Sequence, residues 1–345
     1  MSSAAPMPEL NARFERTEGW IGADGAYSAA LSAERTLWLF SDTWVGTVRN
    51  GSRTNATIIN NSIGVQTGNG DNGRLEFVFK QREDGSPDAL ITPADGRGWF
   101  WLQAGIEHRG KLYVFLSQVE KTADPGVFGF RHIGQWLGVI SNPYDNPASW
   151  NIKQQKLPFA IFTGRRHLAF GAAVLRKGEE IYVYGTDDDL TVPVRNRRLV
   201  VAKVPSADLE HFSRWRFYYN GDWQSGSTKL SPLADHVATE CSVTYLPAFQ
   251  RYVLVYNENG LSDRILVRTA ADPAGPWSTP SLAYTCPEMK QDARVFCYAA
   301  KAHPSEADDD EIVLSYVANS FDFSHAVADA RLYWPRFVRL NFRFE

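Results

Sequence analysis

The stretch SAERTLWLFSD at residues 32–42 decides the fold, because its form recurs four more times along the chain. A strand leads into a short charged or glycine-containing turn, and an apolar strand then ends at a polar residue, which is the pattern of a β-hairpin. The other copies are EHRGKLYVFLSQ at 107–118, RKGEEIYVYGTD at 176–187, PAFQRYVLVYN at 247–257 and ADDDEIVLSYVAN at 307–319. A repeat of this length indicates an array of similar β units.

The spacing between the copies leaves room for two more strands in each unit. The second strands of the hairpins begin at Leu37, Leu112, Ile181, Tyr252 and Ile312, so successive starts are 75, 69, 71 and 60 residues apart. Four strands of ~5 to 6 residues and their loops fit into that length. Third strands are predicted at 58–66, 135–141, 197–204, 263–269 and 333–342, and fourth strands at 75–80, 149–153, 214–219 and 276–279. The fifth unit has no segment left for a fourth strand.

We therefore predict an all-β fold, in which residues 1–345 form a single five-bladed β-propeller domain with four-stranded antiparallel blades. The blades are expected at about 19–80, 95–153, 165–219, 236–280 and 292–345. The N-terminal segment ARFERT at 12–17 is expected to complete the last blade, since such closure removes an exposed sheet edge. The alternative is an irregular pair of β-sandwich domains, which does not predict units of nearly equal length.

Composition agrees with a folded β protein and argues against several functions. The chain has 11 Trp, 14 Tyr and 20 Phe among 345 residues, and aromatic residues favour strands. Its net charge is −3 with no basic stripe, so nucleic acid is not expected as a partner. No apolar run reaches the ~18 residues that span a bilayer. Motifs of zincins, P-loop NTPases, GxSxG hydrolases and Asp-box sialidases are absent.

Polar residues recur where the chain enters the first strand of a predicted blade and leaves the second. In a propeller these positions meet at one mouth of the central channel, and carboxylates beside tryptophans there suit a sugar. The expected catalytic residues are Asp24, Glu240 and Asp42. The expected substrate-binding residues are Asp95, Arg97, Trp99, Trp44, Asn61, Arg166, His167, Asp187 and Arg294.

Glycoside hydrolysis requires one protonated and one ionised carboxyl group. Glu240 interrupts an apolar-leaning strand, which predicts a raised pKa and the role of acid. Asp24 lies between glycines and is expected to stay wet and ionised as the base, with Asp42 orienting a partner or tuning its pKa. Structural alternatives stay open: Asp24 as a turn residue, Asp42 as a loop cap, His167 as a buried histidine, and Trp44, Trp99, Trp101 and Trp136 as packing residues.

The stretch GADGAYSAALSAERTLWLFSDTWVG at 22–46, followed by INNSIGVQTG at 59–68, resembles a group of bacterial propeller proteins known as domains of unknown function. Related groups contain endo-acting D-arabinanases. The architecture is also similar to that of five-bladed glycosidases that include arabinanases, xylosidases and fructan-cleaving enzymes. The resemblance implies a furanoside or related glycan as substrate, with Asp24 or Asp42 as the first-blade acid, Asp95 as a second-blade acid and Glu240 as the later glutamate.

The resulting hypothesis is a glycoside hydrolase that cleaves an arabinan-like, furanose-containing glycan with inversion. A non-catalytic glycan-binding propeller and an interaction scaffold are the alternatives. We expect a monomer with a carbohydrate partner and no membrane partner. No cofactor is predicted, because a channel cation such as Ca²⁺ has no ligand-loop spacing in the sequence. The resemblance implies an extracellular or periplasmic location; the start MSSAAPMPELNARF lacks a signal-peptide pattern, so a cytoplasmic one stays open.

Overall fold

The computed structural model describes residues 3–68, 73–194, 196–306 and 311–341, and most of them lie in β-strands. Strands β1 to β14 are, in order, Ser3–Pro6, Glu18–Ala23, Tyr27–Ser32, Arg35–Phe40, Thr43–Arg49, Ser52–Ile59, Ser62–Thr67, Arg74–Val78, Lys80–Gln81, Pro87–Asp88, Trp99–His108, Lys111–Lys121, Phe130–Ile140 and Ile152–Lys156. Strands β15 to β27 are Ile161–Phe162, Arg166–Lys177, Glu180–Asp189, Arg198–Pro205, Arg216–Tyr219, Asp222–Gln224, Cys241–Leu246, Arg251–Asn257, Arg264–Ala270, Ser281–Thr285, Val295–Ala302, Glu311–Ser320 and Pro335–Asn341.

Helices are short by comparison. The α-helices α1 to α3 are Pro8–Phe14, Glu288–Gln291 and Phe323–Ala328. Single 3₁₀ turns lie at Pro147–Ser149, Ser206–Asp208, Phe212–Arg214, Pro247–Phe249 and Pro304–Glu306. None of the helices in the described residues is long and apolar enough to cross a bilayer.

Five antiparallel sheets, named I to V here, follow one another along the chain. Sheet I has the order β3-β4-β7-β8, sheet II β11-β12-β13-β14, sheet III β15-β16-β17-β18-β19-β20, sheet IV β21-β22-β23-β24 and sheet V β25-β26-β27-β1. A three-stranded sheet β2-β5-β6 and a two-stranded sheet β9-β10 stand apart from them. Each of the five sheets thus contains the four antiparallel strands that the repeat predicts.

The core is divided among interfaces between consecutive sheets. Separate apolar clusters join sheets I and II, II and III, III and IV, and IV and V. A fifth cluster joins sheet V back to sheet I, where Trp38 and Phe40 pack with Val313, Phe337 and Phe14 of α1. Consecutive sheets therefore share apolar interfaces, and one further cluster contains residues of both sheet V and sheet I.

The strand positions agree with the hairpin repeat but differ at its margins. The predicted second strands lie within two residues of the starts of β4, β12, β17, β22 and β26; part of the turn before β26, at 307–310, lies outside the described residues. The expected strand at 12–17 is wrong. Residues 8–14 form α1, since Pro8 suits the first helical turn, and Ser3–Pro6 pairs with β27 instead.

Two further strand predictions are corrected by the pairing registers. The fourth strand of sheet IV is Ser281–Thr285, which pairs with β23, and not 276–279, where Pro276 follows a cis peptide bond. The predicted strand 58–66 divides between β6 and β7, because β4 pairs directly with β7 and the hairpin β5-β6 is inserted between them. Glu240 stands immediately before β21 rather than within it.

The inserted hairpin joins β2 to the segment between β26 and β27. β2 pairs with β5, and the buried Arg53 of β6 donates hydrogen bonds to the carbonyl oxygens of Ala326 and Leu332, at 2.5 and 2.6 Å. Gly22 has a φ of +140°, and a Cβ there would stand 2.3 Å from the carbonyl oxygen of Tyr333. This close approach, which only glycine allows, places the turn at residue 24 beside Tyr333.

Candidate active site

Asp24 lies in the turn between β2 and β3, and the backbone ties it to the end of β4. The Asp24 amide donates to the carbonyl oxygen of Asp42, and the Ser41 amide donates to the carbonyl oxygen of Asp24, both at 3.1 Å. The Asp24 side chain is half-buried. Its Oδ2 accepts hydrogen bonds from the hydroxyls of Tyr298, at 2.8 Å, and Tyr333, at 3.3 Å, while Oδ1 is buried without a partner among the described residues.

Burial raises the pKa of Asp24 well above its ordinary value, and the charges of Asp42 and Glu240 raise it further. The Tyr298 hydrogen bond and the Lys301 charge act in the opposite direction. The prediction that Asp24 stays wet and ionised does not match these surroundings, because the side chain packs against Tyr298 of β25 and Tyr333. Enclosure and neighbouring negative charge both favour the protonated form of a carboxyl group.

Asp42 follows β4 and shares the enclosure of Asp24. Its Oδ1 accepts hydrogen bonds from the Trp101 indole Nε1, at 2.8 Å, and from Asn60 Nδ2, at 3.2 Å. Burial raises the pKa of Asp42 to about 6, although these two donors lower it. Asp42 is thus joined to sheet II through Trp101 of β11.

Glu240 meets a buried lysine that the sequence analysis did not single out. Its Oε1 accepts a hydrogen bond of 2.9 Å from Lys301 Nζ; the Lys301 side chain is 1% exposed and that of Glu240 22%. Lys301 Nζ also donates to the carbonyl oxygen of Ala299 at 2.8 Å and lies 4.3 Å from the ring centre of Tyr27. The sequence predicted apolar surroundings for Glu240, whereas its carboxyl group forms an ion pair with Lys301.

A bulge in β25 aims Lys301 at Glu240. The register between β25 and β26 shifts between Tyr298 and Lys301, and Ala299 in that bulge has a φ of +64°. A left-handed alanine is strained, and strain of this kind is common at functional sites. Burial lowers the pKa of Lys301, while the Glu240 carboxylate beside it raises that pKa. Tyr298 and Lys301 thus reach Asp24 and Glu240 from one strand.

The other predicted substrate-binding residues are dispersed. Trp44 and Asn61 are buried: Trp44 lies under Arg53, and the Asn61 amide bonds to the backbone of Ile91 and Phe100. Arg97 pairs with Glu120 at 3.0 Å and Arg294 with Asp292 at 2.7 Å, both on the surface. These four residues are engaged within the protein, outside the contacts of the carboxyl groups.

The remaining predicted residues lie near the ends of sheets II and III. Asp95 accepts from Gln118 Nε2 at 2.8 Å, and Trp99 packs edge-to-face on Trp101. Arg166 pairs with the buried Asp187 at 2.7 Å. His167 lines a cavity together with Thr239, the neighbour of Glu240. Trp101 in turn donates to Asp42, so Trp99 is connected to that carboxyl group through one indole ring.

Three side chains of the site were missed by sequence reasoning. Lys301 could have been found from the sequence, because it is the one charged residue in the apolar strand Val295–Ala302. Tyr298 and Tyr333 carry none, since tyrosine is common in strands. Within the described residues, no group of three His, Cys, Asp or Glu side chains has the arrangement of a metal site.

Asp24, Asp42 and Glu240 come from sheets I and IV and interact electrostatically, with Lys301 and Tyr298 of sheet V between them. Burial raises the pKa of both aspartates, and the glutamate is paired with a buried ammonium group. Such carboxyl groups can protonate a leaving oxygen and activate a water molecule in the same site.

Solved structures with a similar fold were found across nearly the whole chain. A "putative hydrolase" from Bacteroides ovatus ATCC 8483 matches over 98% of this chain and 90% of its own, with 20% identity and a TM-score of 0.77. An exo-β-1,3-galactanase from Phanerochaete chrysosporium matches over 95% and 64%, with 9% identity and a TM-score of 0.51. These likenesses concern the fold. No curated protein matches the sequence.

One family description covers almost the entire chain. The match extends over residues 8–342, from α1 to the last strand of sheet V. The chain therefore belongs to the family described as Domain of unknown function (DUF5005).

Proposed function

We propose that this protein is a glycoside hydrolase. The observation that carries the proposal is the cluster of Asp24, Asp42 and Glu240, in which burial raises the pKa of both aspartates while the glutamate is paired with a buried lysine. Cleavage of a glycosidic bond needs a protonated carboxyl on the leaving oxygen and a second, ionised one on the opposite face of the sugar. The members of the cluster are our candidates for these two groups.

Asp24 is the general acid and Glu240 the general base in this proposal, which reverses the roles expected from the sequence. Asp24 carries the proton because it is enclosed by sheet V and faces two other carboxyl groups. Glu240 has an ammonium partner at 2.9 Å, which fixes the orientation of its carboxyl group. Asp42 keeps Asp24 protonated through its charge and is itself fixed by Trp101 and Asn60.

The proposed substrate is a furanose-containing glycan of the arabinan type, and the proposed outcome is inversion at the anomeric carbon. The resemblance of the segment from Gly22 to Gly68 supports the substrate class. Inversion requires a water molecule between base and sugar, for which the two carboxyl groups must stand ~6.5 to 9.5 Å apart. Proton NMR of the first product anomer formed tests the stereochemistry.

The test of function is incubation of the protein with arabinan, D-arabinan, xylan and fructan, with measurement of released reducing ends and product size. Wild type is expected to release product from one glycan, and Glu240→Gln to lower that rate at least 1,000-fold while retaining binding to the same glycan. Binding by both proteins without product from either would contradict the proposal and favour a glycan-binding domain.

A further inference from the structure

A loop of sheet II reaches across to sheet V. Residues 122–129 connect β12 to β13, and the ring of Phe128 in this loop lies 5.8 Å from the ring of Phe296 and 6.1 Å from that of Phe321, measured between ring centres. Phe296 belongs to β25, and Phe321 directly follows β26. Sheets II and V each share an apolar cluster with sheet I. The loop therefore forms a bridge between the two sheets that pack against sheet I.

The sheet II end of this bridge leads to Asp42. The ring centres of Phe128 and Phe130, the first residue of β13, are 6.4 Å apart. The Phe130 ring packs edge-to-face on Trp101 at 4.6 Å between centres, and the Trp101 indole donates to Asp42 Oδ1. Two aromatic rings thus connect Phe128 to this carboxyl group.

The sheet V end of the bridge leads to Asp24. The Phe296 ring, which contacts Phe128, lies 5.3 Å from the ring of Tyr298, and the Tyr298 hydroxyl donates to Asp24 Oδ2. The Asp24 amide in turn donates to the Asp42 carbonyl oxygen. The contacts therefore form a closed circuit, with the two aspartates on one side and Phe128 on the other.

The bridge is fixed at its base and accessible at its tip. At the base, the Thr122 amide donates to the carbonyl oxygen of Gly129 at 2.9 Å. At the tip, Phe128 is 47% exposed and Phe321 49%, so a ligand can meet both rings from solvent. Phe296, which both of these rings contact, is buried. Contacts between tilted aromatic rings are favourable, which keeps the Phe128 ring on sheet V.

We infer that Phe128 restricts the site to the ends of glycan chains, because a chain that lies along Asp24 cannot continue past the bridge. The interior of a polysaccharide would have to enter the circuit from the side, and the contacts of Phe128 with Phe296 and Phe321 close that side. The inference rests on the proposed function and adds the mode of attack. The enzyme releases short products from a chain end and does not cut the chain in its interior.

The first test follows the bridge without any glycan. Chymotrypsin cleaves after aromatic residues in segments that detach from the protein surface, so contact with sheet V should protect the bond between Phe128 and Gly129. Mass spectrometry would measure the cleavage rate of this bond in wild type, Phe321→Ala and Tyr245→Ala; the last variant removes a similarly exposed ring of sheet IV. We expect at least fivefold faster cleavage in Phe321→Ala and an unchanged rate in Tyr245→Ala. Equal rates in all three proteins would overturn the inference.

The second test follows product size on the glycan that the wild type cleaves. Wild type should release short products from the earliest times. It should also release at least tenfold less dye than Phe128→Ala from a dye-labelled, cross-linked form of the same glycan, because only cuts in the chain interior free dyed fragments. Phe321→Ala should show the same gain, which covers the case in which Phe128→Ala does not fold. Tyr245→Ala should behave as wild type.

The outcomes separate the bridge from the proposed function. Long fragments released early by wild type, or dye release unchanged in both Phe128→Ala and Phe321→Ala, would overturn the inference and leave the glycoside hydrolase proposal intact. Hydrolysis of no glycan by the folded wild type would reject the proposed function, and chain-end action with it. The chymotrypsin rates distinguish that case, since they do not depend on turnover.

Discussion

Lys301 Nζ and Glu240 Oε1 lie 2.9 Å apart, although the two residues are 61 positions apart in the sequence. Lys301 belongs to sheet V, and Glu240 stands just before the first strand of sheet IV. The ammonium group is almost completely buried, and its other contacts are one carbonyl oxygen and the face of Tyr27. Removing one member of such a pair leaves the other unbalanced. In the proposed mechanism Lys301 is a positioning residue for Glu240, and its effect on turnover can be separated from its effect on folding.

Replacing Lys301 by methionine should lower kcat at least 100-fold, because Glu240 loses the group that orients it. The chain offers a matched control in Lys177, which pairs with Asp272 at 2.9 Å and lies 5.6 Å from the Tyr252 ring centre, but on the surface. Lys177→Met should change kcat less than twofold and the free energy of unfolding by less than about 1 kcal/mol.

A shift in the pH profile distinguishes orientation by Lys301 from simple structural support. Lys301→Met should move the limb of kcat/KM that reports the base, while the melting temperature is followed in parallel. If kcat fell only in proportion to the folded fraction, with the profile unmoved, Lys301 would be a structural residue.

The Tyr298→Phe variant tests whether Asp24 acts as the acid or the base, because the two roles predict shifts in different limbs of the pH profile of activity. The Tyr298 hydroxyl lowers the pKa of Asp24 by donating to Oδ2, so its loss raises that pKa. If Asp24 is the acid, activity persists to higher pH and the basic limb moves upward. Movement of the acidic limb would make Asp24 the base. Tyr245→Phe, on an exposed face, should leave both limbs in place.

Asp42→Asn should stabilise the protein at high pH and not at low pH. The pKa of Asp42 rises from 3.8 in the unfolded chain to about 6 in the folded one, so ionisation is penalised in the folded state. The penalty is absent below pH 4 and complete above pH 6. At about 1.4 kcal/mol per pKa unit, it reaches about 3 kcal/mol. Denaturant unfolding at pH 4 and pH 8 checks this; an equal gain at both pH values would contradict it.

Gly22→Ala should disturb Asp24 through the backbone. The new Cβ would stand 2.3 Å from the carbonyl oxygen of Tyr333 at a φ of +140°. We expect a loss of at least about 2 kcal/mol in unfolding free energy and a tenfold lower kcat in the remaining folded protein. Gly51→Ala, at a φ of +78° with open space around it, should cost about 1 kcal/mol and leave kcat unchanged. Equal effects of the two variants would contradict the account.

The regular part of the fold could be predicted from the sequence because hairpin signals are local. The apolar runs after residues 34, 110, 179, 250 and 310 identify the second strands of all five sheets. The closing strand could not be predicted in this way. Ser3–Pro6 has no apolar alternation of its own and becomes a strand only by pairing with β27. The inserted hairpin β5-β6 was missed because its signals merge with those of its neighbours.

The members of the carboxyl cluster were predictable, but their surroundings were not. Asp24, Asp42 and Glu240 follow from their positions in the repeat. Whether each is exposed to water or enclosed depends on Tyr298, Tyr333 and Lys301. The two tyrosines are 274 and 309 positions from Asp24 in the sequence. A local pattern of Asp between glycines carries no information about such partners.

The most direct measurement compares the hydrolysis of two substrates that contain the same sugar and differ in their leaving group. Initial rates would be taken for wild type, Asp24→Asn and Glu240→Gln on that glycan and on a p-nitrophenyl oligoside of the same sugar. The p-nitrophenolate group leaves without a proton, so Asp24→Asn should retain activity on the aryl substrate and lose at least 1,000-fold on the glycan, while Glu240→Gln should lose both. Hydrolysis of neither substrate by the folded wild-type protein, or full activity in Asp24→Asn, would contradict the account.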